Sequence, residues 1–228
     1  MEQFGVRAQV HDQCGTRASR AIRIPHGQKY APREYAIEPD ASNASYFLAA
    51  AAIVPGASVT IEALGTKSLQ GDAGFAAVLE KMGAAVKITE QAITVTGTGV
   101  LRGIDLDMNA MPDMVQTLAV VALFADGPST ARNVWNLRVK ETDRLLALET
   151  ELRKLGATVD TTADRITITP AIAGGLHGAS IATYDDHRMA MAFAIARLRI
   201  ADVIIENPEC VGKTYPHYFA DLAAAVTH

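Results

Sequence analysis

The sequence predicts a mixed α/β (α+β) fold built from a repeating β-α-β-α-β-β unit. Three observations carry this. Motifs recur every 73 residues, each recurrence sets an Asp before a helix of small residues, and each such helix is followed by a β-branched strand. Met82-Gly83-Ala84-Ala85-Val86 returns as Leu155-Gly156-Ala157-Thr158-Val159. Asp40, Asp113 and Asp186 keep the same 73-residue spacing, as do Lys67, Lys140 and Lys213.

Within each unit the elements follow in order. Asp40, Asp113 and Asp186 precede helices expected over Ala44 to Ala52, Thr117 to Ala125 and Met189 to Leu198. An Asp there accepts backbone N–H bonds and is favoured by the helix dipole, so capping explains all three. Turns follow at Pro55-Gly56, Gly127-Pro128 and Ala201-Asp202, then strands over Ser58 to Glu62, Thr130 to Val134 and Val203 to Glu206. A loop with the periodic lysine leads into an amphipathic helix, Ala73 to Met82 or Arg144 to Leu155, which stops at Gly83 or Gly156. Two closing strands complete the unit, such as Ala85 to Thr89 with Ala92 to Thr96. Helices of this composition predict sheets packed around a shared core of helices.

The ends break the pattern. Residues 1–35 read as the closing strands of a preceding unit, with Phe4-Gly5-Val6 as a helix stop and Ala21 to Ile24 as a strand. Residues 36–228 then hold units of about 36–108 and 109–181 and an incomplete one over 182–228, which ends on a helix, Pro216 to Val226, without closing strands. Residues 1–30 contain the missing kind of strand pair and are expected to fold back and close the third unit.

Composition bounds the function. With 228 residues, 49% hydrophobic and 20% charged, the chain suits a globular protein with a real core. A net charge of −4 and pI near 5.9 give no support to nucleic-acid or membrane-surface binding, so any anion site is local. The longest mostly apolar stretch, Ala44 to Val54, is far short of the roughly 20 residues that span a bilayer, and no signal-peptide core is visible, so a cytoplasmic protein is expected. Cys14 and Cys210 stand apart, without metal or disulfide spacing, and read as buried or half-buried thiols.

The loops carry the candidate chemistry. In Asn133 to Arg144, Lys140 and Arg144 read either as a solvated i, i+4 edge beside a capping Thr142 or Asp143, or as two cations on an anion with Glu141 as acid or base. Tyr184-Asp185-Asp186-His187-Arg188 straddles a helix start, where free N–H groups and Arg188 suit phosphate or carboxylate; the plainer reading is a cap with His187 and Arg188 on the surface. Lys213 alone reads as a surface lysine, raised only by its register with Lys140. No nucleophilic triad, phosphate loop, metal set or cofactor motif is present in the sequence. Four cations with Asp113 and Glu141 fit a cofactor-free transfer on a small anionic substrate.

Asp40-Ala41-Ser42 through Ala52, Met108-Asn109 with Pro112-Asp113, Asn133 to Arg144, Ala182 to Met191 and Lys213-Thr214-Tyr215-Pro216 closely resemble the 5-enolpyruvylshikimate-3-phosphate synthases. The resemblance runs over nearly the whole chain and is weakest across residues 7–35. It implies an enolpyruvyl transferase lobe of three βαβαββ units, the C-terminal one, with the tail of the N-terminal lobe. The implied reaction moves the enolpyruvyl group of phosphoenolpyruvate to the 5-hydroxyl of shikimate 3-phosphate, through a tetrahedral adduct that then loses phosphate.

The implied roles are phosphoenolpyruvate binding by Arg144, Arg188 and Lys213 with His187 nearby, proton removal from the 5-hydroxyl by Asp113, and handling of the methylene proton by Glu141. Asn136 and Lys140 reach toward shikimate 3-phosphate, where Asp113 also sits, and Lys140 shares in the proton transfers. Glyphosate competes at the phosphoenolpyruvate subsite of this family. The N-terminal residues that complete both subsites in the family are missing here, so a complementary N-terminal lobe is an implied partner and the chain alone is expected to be inactive. Two other readings stand beside this one: a lobe of the sister transferase for UDP-N-acetylglucosamine, and a non-catalytic fragment that weakly binds anions.

Overall fold

The structure, a computed structural model, describes residues 1–13, 19–172 and 174–226, in two compact units, Met1–Ile37 and Glu38–His228. Cys14 lies outside the described residues; Cys210 is half-buried. In the first unit, Gly5 (φ 81°) ends a 3-10 turn over Glu2–Phe4, and strand β1 (Gln9–Gln13) pairs antiparallel with β2 (Ser19–Arg23).

The second unit is organised by three helices that pack on one another: α1 (Ala41–Ile53), α3 (Val115–Ala122) and α5 (His187–Ala196). All eight residues of α3 are buried, as are Met189 to Ala196 of α5 and most of α1. A helix apolar on every side belongs inside a core, and alanine lets neighbouring backbones approach closely. The hydroxyls of Ser45 and Thr117, 3.3 Å apart, satisfy each other between α1 and α3.

Small sheets cover this triad. β3 (Ser58–Glu62), β4 (Ala85–Ile88) and β5 (Ala92–Thr96) form an antiparallel sheet in the order β3-β5-β4. The middle repeat is complete. Its sheet runs β6 (Asp105–Asp107), β7 (Ser129–Arg132), β9 (Arg165–Thr169), β8 (Thr158–Thr161), with β6 parallel to β7 and the other pairings antiparallel. Among the described residues the third repeat pairs β10 (Ser180–Ile181) parallel to β11 (Ile204–Ile205). The buried faces of β5 and β9 alternate as a half-buried strand requires: Ile93 and Val95, Ile166 and Ile168 point inward.

The outer helices α2 (Phe75–Met82) and α4 (Arg144–Lys154) belong to the first two repeats, and α6 (Tyr218–Val226) to the third. Gly83 ends α2 at φ 115°, donating to the carbonyls of Leu79 and Glu80 while Ala84 N–H also returns to Leu79. A Cβ there would sit 2.9 Å from the Val100 carbonyl oxygen, so glycine is required twice over. Among the described residues no helix is long and apolar enough to cross a membrane.

Several elements differ from the sequence expectation. α1 begins at Ala41 and α5 at His187, each earlier than the apolar run suggests, because Asp40 and Asp186 are true N-caps, with side chains accepting from Asn43 N–H and Arg188 N–H. The amphipathic helix expected from Ala73 is a 3-10 turn over Gly71–Gly74 before α2 starts at Phe75. The opening strands β6 and β10 are only three and two residues long, too short for a periodic signal. Since β6 hydrogen-bonds in the sheet of β7, the second repeat's sheet begins before residue 109. Among the described residues β1 and β2 form a two-stranded sheet, and β10 and β11 another.

Burial locates the stability. Leu118, 1% exposed at the centre of α3, is expected to cost about 2–5 kcal/mol when changed to Ala, whereas Leu146→Ala on the exposed side of α4 changes stability by less than about 0.5 kcal/mol. Urea unfolding of the two variants measures the contrast.

Candidate functional site

The three periodic aspartates have separate fates. Asp40 and Asp186 cap helices. Asp113 does not: it lies inside a 3-10 turn, Pro112–Met114, and α3 begins without a side-chain cap. The expectation that capping explains all three is therefore corrected at Asp113. Its carboxylate is spent on three cations instead: Arg144 Nη1 at 3.0 Å, Arg188 Nη2 at 3.2 Å and Lys140 Nζ at 3.4 Å.

Arg144 is the hub. It is the first residue of α4, whose N-cap Asp143 accepts from Leu146 N–H at 3.1 Å and is itself held by Arg138 Nη1 at 2.8 Å. Arg138 also donates to the Ala163 carbonyl, which ties the 3-10 turn Trp135–Val139 to the β8–β9 connection and places Lys140 and Glu141. The Arg144 side chain is 1% exposed, against the reading of a solvated edge. Its guanidinium donates to Asp186 (Nε to Oδ2, 2.7 Å; Nη2 to Oδ1, 3.3 Å), to Asp113, and to Glu141 Oε2 at 2.8 Å. Buried Gln116, its amide oriented by its neighbours, donates to the Asp113 carbonyl at 3.2 Å and accepts from Arg144 Nε at 2.8 Å.

Lys213 closes the network through Glu141 Oε1, at 2.8 Å. Its hydrogen bond is the largest cause holding the Glu141 carboxyl at about 2, well below the usual carboxylate range. Lys213 and Lys140 thus join the site, while their register mate Lys67 meets Glu90 on the surface. His187 is 4% exposed rather than on the surface; burial lowers its pKa and keeps the ring neutral near pH 7, and its Nδ1 has no hydrogen-bond partner among the described residues. Asn136 carries a buried Oδ1 without a partner, and no hydrogen bond or ion pair among the described residues links it to the cluster.

The structure therefore brings together Asp113, Lys140, Glu141, Arg144, Arg188 and Lys213, with His187 beside them. Asp186, read from sequence only as a cap, is wholly buried and anchors Arg144. Gln116 and Tyr46 escaped the sequence reading. Tyr46 is wholly buried in α1, its ionisation pushed far up by burial and opposed by the nearby Arg188 and Arg144 charges. The signal for Gln116 was a lone amide in a helix otherwise rich in Val, Leu and Ala.

Chemically, cations carried on several elements converge on the carboxylates of Asp113, Glu141 and Asp186. Such an arrangement presents fixed cationic N–H donors of the kind that suit a small anion.

A model of one family, EPSP synthase (3-phosphoshikimate 1-carboxyvinyltransferase), matches residues 1–222. The chain is 51% identical over 236 aligned positions to the chloroplastic 3-phosphoshikimate 1-carboxyvinyltransferase of Brassica napus, a match covering 100% of this chain and 44% of that protein. It is 50% identical over 224 positions to the Serratia proteamaculans 3-phosphoshikimate 1-carboxyvinyltransferase, covering 98% and 50%. Its fold is similar to the EPSP synthase of Acinetobacter baumannii, with a TM-score of 0.80 at 26% identity over 98% of this chain and 52% of that one. The chain spans about half the length of these relatives.

Two outcomes test the electrostatics. Arg144→Met leaves buried Asp186 without its counter-ion and is expected to cost about 3–5 kcal/mol of unfolding free energy. The lowered His187 pKa means the unfolded chain takes up a proton that the folded one resists, so its contribution is present above about pH 6.5 and is lost as the pH falls below it. Unfolding free energies measured at about pH 7 and pH 5 should accordingly fall less for His187→Gln than for the parent.

Proposed function

The chain belongs to the EPSP synthase family, and from that premise we propose that it is the C-terminal half of an enzyme that transfers the enolpyruvyl group of phosphoenolpyruvate to the 5-hydroxyl of shikimate 3-phosphate. The observation that carries the reading is Asp113, which leaves the capping role of its register mates to meet Lys140, Arg144 and Arg188. A complementary N-terminal lobe supplies the rest of both subsites. The cytoplasm expected from the sequence is part of the proposal; the plant relatives carry the chloroplast in their names.

In this reading Arg188, Lys213 and Arg144 receive the phosphate and carboxylate of phosphoenolpyruvate, beside His187. The substrate takes Lys213 from Glu141, whose pKa then rises from about 2 toward the range useful for proton transfer. Asp113, with Lys140 beside it, accepts the 5-hydroxyl proton as that oxygen bonds to C2 of phosphoenolpyruvate, and a proton is added at C3 from Glu141. Glu141 draws that proton from solvent once its pKa has risen and takes a C3 proton back as the C2–O bond to phosphate breaks, and the proton held by Asp113 leaves with the phosphate as hydrogen phosphate, which resets both carboxyls. Lys140 and Asn136 hold the shikimate 3-phosphate side. The preformed cations stabilise charge as it develops, without reorganising at that moment.

Phosphate release from the two substrates, followed for the chain alone and mixed with a matching N-terminal lobe, is the test. Negligible turnover alone and turnover on mixing are expected; full turnover by the chain alone would sink the half-enzyme reading. In the mixed protein Asp113→Asn and Glu141→Gln should each lower kcat by roughly 10²–10⁴-fold, while Lys213→Ala chiefly raises the KM for phosphoenolpyruvate.

A further inference from the structure

Helix α4 carries two buried charges on one face: Arg144 at its first residue and Glu151 two turns later, 1% and 0% exposed. Arg144 grips Asp186. Glu151 grips the other end of the same short segment, because its Oε2 accepts from the Ala182 backbone N–H at 3.0 Å and its Oε1 from Tyr184 Oη at 2.7 Å. Lys154 Nζ, 2.7 Å from Oε2, supplies the counter-charge.

Between those two grips the backbone is strained. Tyr184 and Asp185 both stand at φ 56°, a left-handed conformation that non-glycine residues adopt rarely and that persists only where the surroundings impose it. Asp186 N–H turns back to the Thr183 carbonyl at 2.9 Å, and Asp185 accepts from Asn207 Nδ2 at 3.2 Å. Directly after this turn come His187 and Arg188, the first residues of α5. A buried carboxylate is retained against its desolvation cost only when fully partnered, and two of the three partners of Glu151 lie in this turn.

We propose that Glu151 is a positioning residue: with Arg144 it clamps residues 182–186 from one face of α4, and so aims His187 and Arg188 at the anion. This rests on the reading that those two residues meet phosphoenolpyruvate. Tyr184 is 42% exposed, so Tyr184→Phe removes the hydroxyl bond without opening the core. In the chain mixed with its N-terminal lobe, Tyr184→Phe should raise the KM for phosphoenolpyruvate about fivefold, the order set by one hydrogen bond of typical net strength at a partly exposed hydroxyl, at an unchanged KM for shikimate 3-phosphate.

Amide hydrogen exchange over residues 182–188 should quicken in the same variant. Glu151→Gln keeps an oxygen for Ala182 N–H and an amide that donates to the Tyr184 oxygen, and should stay within about twofold of the parent, whereas Glu151→Ala shows at least the Tyr184→Phe effect. Equal rises in both KM values, or no change in either with unchanged exchange, overturn the clamp. If the parent mixture turns nothing over, the functional reading fails, and the exchange comparison still decides whether Glu151 holds the turn.

Discussion

The buried guanidinium of Arg144 is the interaction on which the rest of the site depends. It joins α4 to the cap of α5 through Asp186, to the approach of α3 through Asp113, and to its own preceding loop through Glu141. Burying a cation is costly unless every donor is used, and Arg144 meets three carboxylates and the Gln116 amide. Because these partners come from different repeats, one residue registers the functional ends of two core helices against a third element. The planar fork suits this task, whereas the compact ammonium of a lysine would not.

That hub works because the repeats supply a rigid and nearly equivalent frame. α1, α3 and α5 pack small residues against each other and bring their N-terminal ends to comparable places in the fold. Equivalence then makes the differences informative. Asp40 stays a cap and Lys67 a surface ion pair, whereas Asp113, Lys140 and Lys213 are drawn into the charge network. The anionic chain as a whole, at −4, thus concentrates positive groups in one place.

The same network bears on the chemistry proposed. Glu141 is held strongly acidic by Lys213, and His187 is held neutral by burial. In the proposed reaction an arriving anion would compete with Glu141 for Lys213, so that binding and the tuning of Glu141 would be linked by simple charge balance. Tight packing around Arg144, Asp186 and Gln116 fixes the Arg144 donors in advance, which in the proposed reaction would lower the reorganisation needed.

The sequence by itself determined the repeat and the order of its elements, and placed β3 and β5 at their observed bounds. Periodicity in apolar residues, Asp caps and glycine stops are local signals: Asp40, Asp186, Gly83 and β5 stand where local stereochemistry puts them. It also pointed, through register and resemblance, to residues that the structure brings together, though capping concealed the contacts of Asp113 and a solvated edge those of Arg144. Only the tertiary structure decided which charges meet. The contacts of Asp113 with Arg188, of Glu141 with Lys213 and of Arg144 with Asp186 span tens of residues, and a burial of 1% follows from how three helices pack rather than from neighbours along the chain. Period and propensity name a strand but do not choose its partner edge, which is why the strand order β6-β7-β9-β8 could not be read along the chain.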